Sequence, residues 1–152
     1  MTLSAITKVS ASIVASAELT IDTSGEGFTD ITASVRRFAK ECGAVEGSLS
    51  LFTRHTSASL TIQENADPDV LRDLTTALRQ LAPRDFDWVH DAEGPDDMPA
   101  HIRTMLTGVS LQIPVIDGKL ALGIWQGIYL IEHRARPHRR QIIFQFTGGC
   151  GG

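Results

Sequence analysis

The sequence predicts an α+β fold in which two to three short helices pack on a largely antiparallel β-sheet. Three features carry this. Apolar residues alternate with polar ones in several separate runs, the period of a strand buried on one face. Only three stretches show helical spacing. An Asp-Gly pair joins two alternating runs as a tight hairpin would.

In chain order, Val9, Ala11, Ile13, Ala15, Ala17, Leu19 and Ile21 alternate with mostly polar neighbours and predict the first strand. A Gly-rich turn at Ser24 to Gly27 follows. Val35, Phe38, Ala39 and Cys42 then recur at helical spacing, with Thr32 as candidate cap and Gly43 as stop. Leu49, Leu51 and Thr53 predict a second strand that leads into His55, and a short third strand is expected around Ser59 to Ile62. Asp67-Pro68 opens the next helix, because the Asp side chain accepts orphan N–H groups and Pro fits the first turn. Val70, Leu71, Leu74, Leu78 and Leu81 form its apolar face and Pro83 ends it.

The polar stretch from Pro83 to Pro99 is too long for a routine connection, and loops of that length often carry function. A two-turn helix over Pro99 to Leu106 stops at Gly108. Val109, Leu111, Ile113 and Val115 alternate into Asp117-Gly118, and Leu120, Leu122 and Ile124 alternate back. Strands near Ile128 to Arg134 and Gln141 to Phe146 complete a single domain over residues 1–147, and the Gly-rich stretch 148–152 is expected to be a flexible tail.

At 152 residues, 42% hydrophobic and 21% charged, the chain can bury a core without disulfide or metal staples. No run approaches the roughly 18 apolar residues of a membrane span, so no membrane partner is expected. The net charge of -4 argues against broad capture of nucleic acid. The start lacks the pattern of a secretory signal and the two cysteines form no CxxC, which predicts a cytoplasmic protein. One basic cluster, Arg134, Arg136, Arg139 and Arg140 with His133 and His138, is either a phosphate or carboxylate site or a solvated loop.

The histidines carry most of the chemical information. His55 and His133 lie at strand ends on apolar faces, where a histidine is either hydrogen-bonded in the core or lines a pocket. His55 is read as pocket-lining because Thr56, Ser57 and Ser59 crowd beside it. His90 and His101 flank Asp91, Glu93, Asp96 and Asp97 without a local zinc spacing such as HExxH, so any metal site must be assembled from distant segments. Asp97 is alternatively a helix cap. Trp125 is an aromatic wall or, preferred on its surroundings, a core residue. No GxSxG elbow, Walker A or GxGxxG exists.

Taken in order, the runs from His55 to Leu60, Glu64 to Val70, His90 with Glu93-Gly94, Asp96 to Ile102, Gly108 with Ser110, and Trp125 to Leu130 with Glu132-His133-Arg134 resemble the YjbQ-type family. The match runs from about residue 6 to residue 148. The resemblance implies a homotrimer with pockets near subunit boundaries and the activity of a secondary thiamine-phosphate synthase. Such an enzyme joins a hydroxymethylpyrimidine diphosphate to a thiazole phosphate, a small phosphorylated metabolite, and releases diphosphate. It implies a divalent metal, magnesium or zinc, and cationic or hydroxyl groups on the departing diphosphate. His55, His90, Asp97, His101 and His133 are then the catalytic set, with His90, His101 and His133 as metal ligands and Ser57, Ser59, Asn65, Trp125 and Arg134 as substrate contacts. A metal-dependent hydrolase of a small phosphorylated metabolite and a non-catalytic metabolite- or metal-binding trimer are the alternatives. The chain departs from the family pattern at Ile124, where Thr is usual, and at Thr147-Gly148-Gly149-Cys150, where a glutamate is expected.

Overall fold

The structure, a computed structural model, describes residues 2, 6 and 8–151. Among the described residues, eight strands form two antiparallel sheets. The larger takes the order β1 (Ile13–Asp22), β8 (Arg139–Cys150), β3 (Ala44–Thr53), β5 (Ser110–Ile116), β6 (Lys119–Leu120). The smaller takes β2 (Gly27–Asp30), β7 (Gln126–Glu132), β4 (Ala58–Glu64). Helix α1 (Thr32–Glu41) follows β2, while α2 (Pro68–Leu81) and α3 (Asp97–Thr107) lie between β4 and β5.

The core forms where the two sheets and α1 meet. Leu49, Leu51, Ile113, Val115, Phe144 and Phe146 come from the larger sheet, Ala58, Leu60, Ile128 and Leu130 from the smaller, and Val35 and Ala39 from α1. The alternation in β3 and β5 is therefore realised side chain by side chain. Strand β7, paired on both edges with β2 and β4, is buried from Gly127 to Glu132, so side chains on both of its faces are covered. Asp117 (φ 48) and Gly118 (φ 72) both take positive φ, as a tight hairpin turn requires. Asp67 caps α2 through its side chain, which accepts from the Asp69 N–H at 2.9 Å. Among the described residues, no helix is long and apolar enough to cross a membrane.

The first strand begins at Ile13 rather than Val9, and the four-residue β2 escaped notice because it is too short to show a period. Thr32 does not cap α1: its hydroxyl accepts from the Ile128 N–H at 2.8 Å and so ties the helix to β7, while Asp30 takes the Thr32 N–H at 2.8 Å. Helix α3 starts two residues early, at Asp97. The return strand of the hairpin ends at Leu120, and Ile124 is exposed. No residue of α2 is fully buried, and Leu81 is largely exposed.

The largest correction concerns the glycines at the C-terminal end. Residues 148–150 are not a free tail but the last residues of β8, with Gly148 opposite both Ile13 and Gly47. Glycine is required there by close approach, since a Cβ on Gly148 would lie 2.7 Å from the Gly47 Cα and one on Gly47 would lie 2.8 Å from the Gly148 Cα. Gly148→Ala is expected to force β3 and β8 apart and cost about 1–3 kcal/mol, as overpacking does elsewhere. Urea unfolding measures this, and an unchanged midpoint would mean that the stretch is free in solution.

Candidate functional site

Helix α3 begins with Asp97 and carries His101 one turn later, which places both on one helical face. The loop before it brings up His90. Gly94, at φ 107, turns this loop back so that the Asp97 N–H donates to the Gly94 carbonyl at 3.1 Å. Trp88 fastens the loop's other end by donating its indole N–H to the Pro83 carbonyl at 2.9 Å.

The result is a cluster centred on Asp97. Its Oδ2 lies 2.8 Å from His90 Nε2 and 3.3 Å from His101 Nε2, and the ligand atoms of the three residues all fall within 4.8 Å of one another. The other carboxylate oxygen pairs with Arg134 Nη1. Arg134 also bonds Asp96 Oδ2 at 3.1 Å through Nε and the Glu93 carbonyl at 2.8 Å through Nη2, so one guanidinium clamps the loop, the helix start and the end of β7. Asp96 additionally accepts the Ala135 N–H at 2.7 Å. Burial works against ionising Asp96, but the bonds from Ala135 and Arg134 outweigh it and hold the carboxyl below its ordinary range.

His101 fixes its own orientation. Its Nδ1 lies 3.0 Å from the Thr56 carbonyl, which can only accept, so Nδ1 carries the hydrogen. In the neutral ring, Nε2 then presents its lone pair toward the Asp97 carboxylate. Two negative lobes at 3.3 Å repel unless a cation sits between them or the ring is protonated. A histidine whose second nitrogen is bound to a carbonyl, beside a carboxylate held by arginine, is an arrangement that could hold a metal ion.

Other residues expected at the site fall elsewhere. His133 is not a member of this cluster; the third place belongs to Asp97. The His133 ring is buried behind the site, with Nε2 2.8 Å from Ser59 Oγ, which in turn lies 2.6 Å from Thr107 Oγ1. Burial, reinforced by Arg103, lowers the His133 pKa to about 4. His55 accepts the Gln141 N–H at Nε2 (3.0 Å), so that nitrogen is spent on the backbone; burial and Arg140 lower its pKa. Ser57 accepts from Arg140 at 3.1 Å. Ser57 and Ser59 thus serve internal networks.

Asn65 and Trp125 lie beyond the far end of β4, a strand length of about 20 Å from Thr56. Asn65 donates to the Ile124 and Gln126 carbonyls, and Trp125 is exposed rather than in the core. It borders an open pocket of about 400 Å³ with Ile62, Gln63, Glu64 and Gln126. Half of the basic cluster is likewise internal: Arg140 is buried against Glu132 at 2.6 Å, and Arg134 serves Asp96 and Asp97. Glu132, which no sequence spacing marks as central, also accepts from Thr23 at 2.9 Å and the Arg134 N–H at 2.9 Å. Only its place in the Glu-His-Arg run singles it out.

Fold and site together define a two-sheet α+β protein with a two-histidine, one-carboxylate centre at a helix N-terminus. Residues 17–149 match the family described as UPF0047 protein YjbQ-like, and the chain belongs to that family. It is 48% identical over 131 residues to the UPF0047 protein sll1880 of Synechocystis, covering 86% of this chain and 89% of that one. It is 40% identical to the UPF0047 protein YjbQ of Escherichia coli O157:H7, covering 86% and 95%. A Clostridium acetobutylicum structure described as an uncharacterized conserved protein of the yjbq/upf0047 family superposes with a TM-score of 0.80 at 40% identity, over 86% of this chain and 98% of that one. A Sulfolobus solfataricus P2 structure described as a YbjQ-like protein of unknown function gives 0.85 at 24% identity over 90% and 99%, a likeness of fold.

Proposed function

We propose that the chain is a divalent-metal-dependent enzyme acting on a small phosphorylated metabolite, with the ion held by His90, Asp97 and His101. The observation that carries this reading is the pair of imidazole Nε2 atoms aimed at one buried carboxylate oxygen, with His101 oriented by the Thr56 carbonyl. Two nitrogens and one oxygen suit zinc far better than magnesium, which prefers oxygen ligands. A zinc-type ion would supply Lewis acidity toward water or a phosphoryl oxygen. The protein's share is positional: Arg134 fixes the carboxylate, Thr56 fixes the ring, and His90, about half exposed, leaves an approach from solvent.

Hydrolysis is the reading this donor set favours, because three protein ligands leave a position for water. The second reading is the transfer suggested by the family resemblance: the hydroxymethylpyrimidine group moves from its diphosphate to a thiazole phosphate and diphosphate departs. In both, the chain works as a cytoplasmic homotrimer. Leu81, Phe86, Val89, Met105 and Leu106 all leave large apolar surface exposed on and around α2 and α3, which supports burial against neighbouring copies.

The test is one preparation of tag-free protein analysed for metal content and for mass by light scattering, then supplied with phosphate monoesters or with the two thiamine precursors. Orthophosphate release supports hydrolysis. Thiamine phosphate with diphosphate supports transfer. Metal without turnover on either set would leave a binding protein and defeat the enzymatic reading.

A further inference from the structure

A second pocket, of about 480 Å³, lies between α1 and the β5–β6 hairpin, lined by Arg36, Ala39, Lys40, Gly118, Lys119 and Leu120. It is far from the metal centre. The hairpin turn sits at the Ala44 end of β3, where the Gly118 N–H donates to the Val45 carbonyl at 3.0 Å, whereas His55 and Thr56 follow Thr53 at the other end. A strand of that length spans about 30 Å.

The charge of this pocket stands out against a chain of net charge -4. Three cations line it and no acid does. Among the described residues, every arginine except Arg36 and Arg136 pairs with a carboxylate within 4.0 Å, and neither Lys40 nor Lys119 has such a partner. Glu41, the single acid of α1, is turned to Arg37, and Glu46 accepts the Asp117 N–H at 2.8 Å. Arg36 and Lys40 stand one helical turn apart, so both reach the same side of α1. Lys40 also complements the helix dipole at the C-terminal turn, but that accounts for neither Arg36 nor Lys119. Beneath the cations, buried Ala39 and half-buried Leu120 supply an apolar floor.

A concave site of this size with an apolar floor and a few convergent charges has the build of a small-molecule site. We propose that it binds a small organic phosphate, with the phosphoryl group against Arg36, Lys40 and Lys119 and the organic body on Ala39 and Leu120. It is independent of the chemistry proposed at Asp97 and can hold a ligand while that centre is occupied.

Phenyl phosphate and inorganic phosphate, titrated separately into the isotopically labelled full chain, test this by amide chemical shifts. The expected result is a saturable set of shifts at residues 36–40 and 117–120, titrating separately from any set at the Asp97 centre, with phenyl phosphate binding there more tightly than inorganic phosphate because only it uses the floor. Arg36→Gln with Lys40→Gln, both exposed positions, should weaken phenyl phosphate about tenfold or more while leaving metal content and melting unchanged. Shifts confined to His90–His101, no saturable shift, or equal affinity in the double variant would each overturn the proposal.

Discussion

Asp97→Asn is expected to lose zinc while keeping its fold. The substitution preserves size and removes the one negative charge among the three ligands, a charge that supplies much of the attraction for a divalent ion. It does not strand Arg134, whose Nε still meets Asp96 and whose Nη2 still meets the Glu93 carbonyl. Zinc affinity should fall by at least about 100-fold, beyond the roughly 10–100-fold that loss of an outer partner costs, which is the range expected for Arg134→Gln. His101→Ala should behave as Asp97→Asn does. His133→Gln should retain the metal, because His133 lies outside the cluster of His90, Asp97 and His101. Elemental analysis and competition with a chelator on the four variants decide the matter. Metal retained by Asp97→Asn, or lost with His133→Gln, would show the ligand set to be wrong.

The sequence made the fold legible wherever one face of an element is buried and the other wet. Leu49, Leu51, Ile113 and Val115 announce β3 and β5 by alternation, and Asp67-Pro68 announces α2 by its cap. Legibility failed where burial is not one-sided. Strand β7 is buried on both faces, so its period vanishes, and Gly148 looked like tail because close packing against Gly47 needs a side chain absent rather than present. For the site, His90, Asp97 and His101 could be picked out because a long polar loop enters a helix beside them, and Arg134 because it opens the basic cluster near the C-terminal end. Their partition from His133, Ser59 and His55 could not. Those residues share hydroxyl and imidazole chemistry with the centre, but only tertiary pairing reveals that His55 answers the Gln141 N–H and His133 answers Ser59. Likewise, nothing local signals that the Thr56 carbonyl orients His101.

The buried His133 should make the fold sensitive to mild acid. In the unfolded chain its imidazole takes up a proton near pH 6.5, whereas in the native ring burial and the nearby Arg103 hold the pKa at about 4. Between these values the unfolded state binds more protons, so stability is full above pH 6.5 and falls as the pH drops toward 4. A shift of this size corresponds to about 3 kcal/mol over the window, a large fraction of a domain's 5–15 kcal/mol. Glu132 acts lower on the scale. Burial opposes its charge, but Arg140, the Arg134 N–H and Thr23 outweigh it and hold its pKa below the ordinary value, so its contribution is lost as the pH falls from the ordinary carboxylate range downward. Urea unfolding at pH 7.0 and pH 4.5 on the parent and on His133→Gln separates the two groups. Gln offers a neutral N–H toward Ser59 and cannot titrate, so the variant should be somewhat weaker at neutral pH yet lose much less between the two pH values. A variant that falls as steeply as the parent would move the acid sensitivity to another residue, and a parent with no slope would mean that His133 reaches solvent in the native assembly.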